Sequence, residues 1–258
     1  MKSRSWMILP VECAAKMGFF SKTVWDNALP PTKKAWRYEQ WRTLHHSELF
    51  THSSRFTGAY RLVILTEKGR SLAAQMGLSP VDPPIGDFIA HDELVMEYAV
   101  RIQKDKLIES WTSEQEMKRD GFKYSRDYQE GNQKIKYPDL VIKLNVPGDP
   151  TFIAVEFERS RKDNRRYDEF TNKYKRRPNI DSVIILCKTQ GIIDSIKRAQ
   201  VRTSYPQKIR PMVFGLIDEV MKSPGQGKLE FDERPLTLEK TVQTLREKRN
   251  SYSGRKAS

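Results

Sequence analysis

The chain has 258 residues and a formal net charge of +13, from 46 Lys and Arg against 33 Asp and Glu. That length allows two domains with separate cores, and the excess of positive charge points to a polyanionic partner, nucleic acid first, because neutralising phosphates releases counterions. No apolar run reaches membrane-spanning length and no lipidation motif is present, so membrane insertion is not expected. The opening Met1-Lys-Ser-Arg-Ser-Trp lacks the apolar core of a secretory signal, and a cytoplasmic location is expected. Cys13 and Cys187 stand far apart in apolar stretches and read as two reduced, buried thiols rather than zinc ligands.

Residues 1–79 predict three helices, a hairpin and a fourth helix. Val11 to Gly18 forms the first, Ser21 to Leu29 the second with serine at its cap, and Pro30-Pro31 stops it. The third runs from about Thr32 to His46, with Trp36, Trp41 and Leu44 at its apolar positions and Lys33, Lys34, Arg37 and Arg42 between them. Leu49–His52 and Tyr60–Leu65 pair around a polar tip, Ser53 to Gly58, that contains Arg55, and Thr66 caps the fourth helix. His45, His46 and His52 are too loosely placed to count as metal ligands.

Residues 80–90, opening with Pro80-Val-Asp-Pro83-Pro84, read as a stiff linker. Residues 91–222 follow as helix, strand, hairpin, helix, strand, helix, strand. The helices are expected at Asp92–Lys104, Arg165–Arg177 and Gly191–Gln200, and the flanking strands between Leu107 and Met117, at Ser182–Cys187 and at Pro211–Ile217. Residues 223–258 read as a charged extension, a short helix and then a disordered basic tail.

The hairpin between the first two helices of this second domain carries the chemistry. Two apolar strands, Asp139-Leu-Val-Ile and Phe152-Ile-Ala-Val-Glu156-Phe-Glu158, flank a Pro147-Gly148-Asp149-Pro150 turn, and Lys162 follows. Alternation along a strand puts Glu156 and Glu158 on one face. If Leu144 pairs with Thr151, Asp139 lies opposite Glu156 and three carboxylates converge, whereas a slip of one residue would scatter them. Acids isolated in apolar strands repel one another unless a cation neutralises them, and all-oxygen ligands suit Mg²⁺ or Mn²⁺. A merely charged and solvated outer face is the plainer alternative.

With these residues on view, two resemblances follow. The junction Leu65 to Ala73 resembles the strand-to-helix turn of winged helix-turn-helix proteins. The element order with Pro138-Asp139 … Glu156-x-Glu158 resembles the restriction-endonuclease-like core of the PD-(D/E)xK superfamily, with Glu158 at the usual lysine position. A winged helix joined to such a mixed-sheet α/β core is further similar to MobC-type plasmid mobilisation relaxases and the replication-relaxation family. His91-Asp-Glu-Leu-Val, Pro138-Asp139, Glu156-x-Glu158-x-x-x-Lys162 and Arg166-Tyr167 are the segments that look alike.

The resemblance implies a metal-dependent DNA nickase acting at a plasmid transfer origin, with an accessory mobilisation or coupling protein as a further partner. Asp139, Glu156 and Glu158 would hold the metal, with Lys162 completing the catalytic set. Lys33, Lys34, Arg37, Arg42 and Arg55 would meet double-stranded DNA through the third helix and the wing. Tyr167 and Tyr174, seven residues apart on one helical face, raise a second route through a covalent phosphotyrosyl intermediate, and packing explains them equally well. A non-catalytic replication or transcription regulator and a defence endonuclease that cuts both strands are the competing expectations.

Overall fold

The computed structural model describes residues 5–28, 34–52, 62–84, 89–120, 137–175, 179–203 and 211–255. The chain divides into two compact units, Met1–Val100 with Gln115–Asp120 and Arg101–Glu114 with Gly121–Ser258.

In the first unit, α1 (Ile8–Met17) ends at Gly18, whose φ of 81° gives the left-handed cap for which glycine carries no steric cost. Then come β1 (Phe20–Ser21), α2 (Lys22–Ala28), α3 (Lys34–His45), β2 (Phe50–Thr51), β3 (Leu62–Leu65) and α4 (Glu67–Gln75). Ser21 Oγ accepts from the backbone N–H of Val24 and Thr66 Oγ1 from that of Gly69, so both expected caps form. The strands make a small antiparallel sheet in the order β1-β3-β2, with Phe50 opposite Leu65 and Phe20 opposite Val63. The β1 strand was not apparent from sequence, being two residues long. Phe20, Trp25 and Trp41 meet at the centre with ring centroids 6.1–6.4 Å apart. Of the three apolar positions named on the third helix, Trp41 and Leu44 are buried and Trp36 is exposed.

The proline-rich segment is folded onto this unit as far as it is described. Val81 is buried and its N–H donates to Ala15 O at 2.8 Å, while Arg70 pairs with Asp82 at 3.0 Å. The division between units therefore falls at Val100/Arg101 rather than within 80–90. The reason is visible in α5 (Ile89–Lys104), whose Glu97 accepts a hydrogen bond from Asn27 of α2 at 3.0 Å.

The second unit is built on a seven-stranded sheet in the order β10-β9-β8-β7-β6-β5-β4. Here β4 is Ile108–Ser113, β5 Leu140–Leu144, β6 Phe152–Glu158, β7 Ser182–Cys187, β8 Met212–Leu216, β9 Leu229–Phe231 and β10 Arg234–Leu236. β4, β5 and β6 form an antiparallel meander, and β6, β7 and β8 run parallel, as the crossovers through α7 (Asn164–Lys175) and α8 (Gln190–Thr203) require. A short helix, α6 (Glu114–Asp120), which from Gln115 onward belongs to the first unit, occupies part of what the sequence suggested was strand, and in the second unit α9 (Ile217–Val220) follows β8.

The last segment departs most from expectation. Residues 229–236 form a hairpin that extends the sheet, and α10 (Leu238–Arg255) is a long helix rather than a short one with a disordered tail. Leu238 and Val242 are buried, and the same face continues at Arg246 and Arg249, which hydrogen-bond to the chain around the β5–β6 turn. Among the described residues no helix is long and apolar enough to cross a membrane.

Candidate functional site

The β5–β6 register is the one expected from the sequence. Leu140 pairs with Val155 and Lys143 with Phe152, and Leu144 N–H donates to Thr151 O at 2.9 Å, so Asp139, one residue before β5, faces Glu156. Asp139 is held from two sides. Its carbonyl accepts from Glu114 N–H at 3.1 Å and its Oδ2 from Phe157 N–H at 2.7 Å.

β6 is a central strand covered on both faces, so Glu156 and Glu158 are only 1 % and 3 % exposed. A buried carboxylate is costly unless paired and hydrogen-bonded, and α7 with the loop before it supplies the partners. Tyr174 donates its hydroxyl to Glu156 Oε1, and Lys173 Nζ lies 3.7 Å from the same oxygen. Lys162 Nζ sits 2.5 Å from Glu158 Oε1. Lys162 also donates its backbone N–H to the Tyr167 hydroxyl at 3.0 Å.

Charge in this small volume perturbs its neighbours. Cys187, beside Glu158 in the β6–β7 register, has its thiol pushed up to about 12, by burial first and by the Glu158 carboxylate second. Burial, with Glu158 and Cys187 adding to it, likewise raises the Tyr167 phenol above its ordinary range, while the Lys162 N–H and Arg161 act the other way. Both thiols, Cys13 and Cys187, are free and buried.

The structure thus sets Glu156 with Tyr174, Glu158 with Lys162 and Tyr167, and Asp139 on the backbone N–H of Phe157 between the two glutamates in sequence. Lys173 was missed by sequence reasoning, since nothing separates it from the other cations of a helix rich in them. The donor set is carboxylate oxygen throughout, the ligand type of a hard divalent cation, and the ammonium groups of Lys162 and Lys173 stand against Glu158 and Glu156. Among the described residues, no three His, Cys, Asp or Glu side chains stand together in a geometry that holds a metal ion.

The residues expected to meet DNA divide unevenly. Lys33 and Arg55 lie outside the described residues, as does the side chain of Lys34. Arg37 is turned inward, donating Nη1 to Asp26 O at 2.9 Å while its own carbonyl accepts from Trp25 Nε1, so it ties α2 to α3. Arg42 is exposed and pairs with Glu39 at 3.0 Å. His45 and His52, set aside as ligands, are hydrogen-bonded to each other, Nδ1 to Nε2, at 2.7 Å.

No family model, no curated protein and no solved structure matches this chain.

Proposed function

We propose that the chain is a metal-dependent DNA endonuclease that nicks one strand at a plasmid transfer origin, in the manner of the MobC-type relaxases it resembles. The observation that carries this reading is the β5–β6 register, Leu140 opposite Val155, whose continuation sets Asp139 opposite Glu156, with the buried Glu158–Lys162 pair at the end of the same strand. The meander followed by parallel strands in the second unit and the helix and strand order of the first support reading them as a restriction-endonuclease-like core and a winged helix.

Under this reading Asp139, Glu156 and Glu158 would hold Mg²⁺ or Mn²⁺, which when bound neutralises charge on the scissile phosphate and acidifies a water. The chain's own residues position the acids. Phe157 N–H fixes the Asp139 carboxylate, Tyr174 orients Glu156, and Lys162 supplies positive charge to Glu158 and to the substrate phosphate. Glu158 would either complete the metal shell or take a proton from the nucleophile. The tyrosine route is less well supported. Tyr167 and Tyr174 are buried, and both hydroxyls are engaged within the cluster.

The same engagement favours a second reading, a DNA-binding regulator in which the acids and lysines form a closed structural network. A defence endonuclease shares the first reading's site and differs from it in cutting both strands.

The deciding experiment incubates the protein with supercoiled plasmids, with and without its native origin, in Mg²⁺ or Mn²⁺. Origin-dependent conversion to open circles supports the relaxase, linear products the defence endonuclease, and origin binding without cleavage the regulator.

A further inference from the structure

The link from the end of β6 into the first turn of α7 is strongly basic. Residues 158–166 hold Arg159, Arg161, Lys162, Arg165 and Arg166 against Glu158 and Asp163. Lys162 is committed to Glu158, Arg165 pairs with Glu169 at 3.0 Å, and Arg166 stands 3.9 Å from Asp163, at the outer limit of an ion pair. Arg159 and Arg161 are exposed and have no ion-pair or hydrogen-bond partner among the described residues. The positive charge left over is therefore local to this link. Its backbone is pinned at both ends. Glu158 O accepts from Lys188 N–H at 2.9 Å, Lys162 N–H donates to the Tyr167 hydroxyl at 3.0 Å, and Asp163 Oδ1 accepts from Arg166 N–H at 2.8 Å as the cap of α7. Two unpaired guanidinium groups are thus carried on an ordered backbone, which lowers the entropy lost when they are engaged.

The composition of the link selects the kind of partner. Four of its five cations are arginine, whose planar fork matches the oxygens of a phosphate, whereas lysine offers a point charge. Every residue from 158 to 166 is charged, Ser or Asn. A protein partner would be anchored by aromatic or aliphatic side chains at the centre of the contact, and a helix lying in a bilayer surface inserts an apolar face, and this stretch supplies neither. A chain of phosphates needs only cations that follow its backbone. These cations also continue directly from the strand that carries Glu156 and Glu158.

We propose that residues 159–166 are a phosphate grip for the DNA backbone, with Arg159 and Arg161 as its principal contacts. The proposal rests on the DNA reading given above and deepens it, because the second unit then holds DNA through its own cations and without regard to base sequence. Arg165 and Arg166, on the first turn of α7, add charge beside the two unpaired arginines.

The test titrates the full chain with a duplex of the native origin and with one of scrambled sequence across a salt series. Arg159→Ala combined with Arg161→Ala should flatten the dependence of log affinity on log salt by about two units, and equally on both duplexes. Arg159→Lys with Arg161→Lys keeps the charges and should keep most of the slope. Lys228→Ala with Arg234→Ala removes the same charge from exposed positions beside and on the β9–β10 hairpin, at the far edge of the sheet, and should leave the slope at the wild-type value. All the substituted side chains are exposed, and unchanged circular dichroism spectra and melting temperatures establish that the variants fold. Wild-type affinity and slope in the double alanine variant overturn the grip and leave the nuclease reading standing. An equal fall in slope in the Lys228 and Arg234 variant overturns it too, in favour of a diffuse charge effect. Loss of binding to polyglutamate, or to vesicles of equal parts phosphatidylserine and phosphatidylcholine, with DNA binding unchanged, overturns it in favour of an acidic protein or a membrane surface. Failure of the wild type to bind either duplex overturns the DNA reading and the grip together, whereas the expected change of slope in a protein that nicks no plasmid upholds the grip and removes the nuclease.

Discussion

Asp139 accepts a hydrogen bond from the backbone N–H of Phe157 at 2.7 Å, so the acid that faces Glu156 is also part of the β5–β6 connection. The two roles separate by substitution. Asp139→Asn keeps an oxygen acceptor for Phe157 and should melt close to the wild type, whereas Asp139→Ala should lose about 0.5–1.5 kcal/mol with that bond. Both should abolish nicking if Asp139 is a metal ligand, since neither provides a carboxylate. Thermal melts paired with the plasmid assay check this, and cleavage by Asp139→Asn at the wild-type rate would remove Asp139 from the chemistry.

Tyr174 gives a contrasting prediction. Its hydroxyl donates to a carboxylate that is 1 % exposed, so Tyr174→Phe withdraws a donor from buried charge and should cost about 1–3 kcal/mol. Tyr167→Phe should cost less, because what it removes is an acceptor for a single backbone N–H. Under the hydrolytic reading both variants retain some nicking and no protein stays attached to the cut strand. A covalent adduct on a denaturing gel, lost in one of the two variants, would establish the tyrosine as nucleophile instead.

The elements that could be read from the sequence are those with a strong period or a defined cap. β7, Ser182–Cys187, is an unbroken apolar run, and the β5–β6 register followed from where two apolar strands and their acids had to align. The β9–β10 hairpin escaped because its turn residues, Asp232 and Glu233, both adopt positive φ, 47° and 63°, without the Asn-Gly or Asp-Gly signature such turns usually carry. α10 escaped because half of its docking stripe is polar. Leu238 and Val242 set the face, and Arg246 and Arg249 continue it with hydrogen bonds that no hydrophobic pattern records. At the site, the acids were legible as exceptions to an apolar pattern, but their partners were not. Pairing of Glu156 with Tyr174 and Lys173 depends on how α7 lies over the sheet.

Arg249 extends this point into a third prediction. Its guanidinium donates to the carbonyls of Pro147 and Asp149 and to Thr151 Oγ1, and Arg246 donates to Asn145 O and Lys106 O. The turn between β5 and β6 is therefore held by the last helix as well as by its own strands. Arg249→Ala should destabilise the second unit by about 1–3 kcal/mol and speed proteolytic cutting at residues 145–151. Arg249→Lys should recover little, since one ammonium cannot reproduce a planar fork with several donors. Limited proteolysis followed by mass spectrometry reads the effect directly, and an unaltered cutting pattern in Arg249→Ala would show that α10 does not restrain the turn.

The last prediction concerns pH and the first unit. His45 Nδ1 and His52 Nε2 lie 2.7 Å apart, so the contact needs a proton on one nitrogen and none on the other. His45 also stands edge-on to Trp41 with ring centroids 4.9 Å apart. Burial first, then the neighbouring His52 and His46, lower His45 from its ordinary 6.5 to about 4. A folded-state value below the unfolded one means that the unfolded chain binds more protons between those limits. Stability contributed by the pair is therefore complete above about pH 6.5 and is lost progressively as pH falls towards 4. Melting temperatures of His45→Gln should accordingly depend less on pH than those of the wild type across that window. An identical pH dependence in wild type and His45→Gln would show that His45 is protonated equally in the folded and unfolded chain.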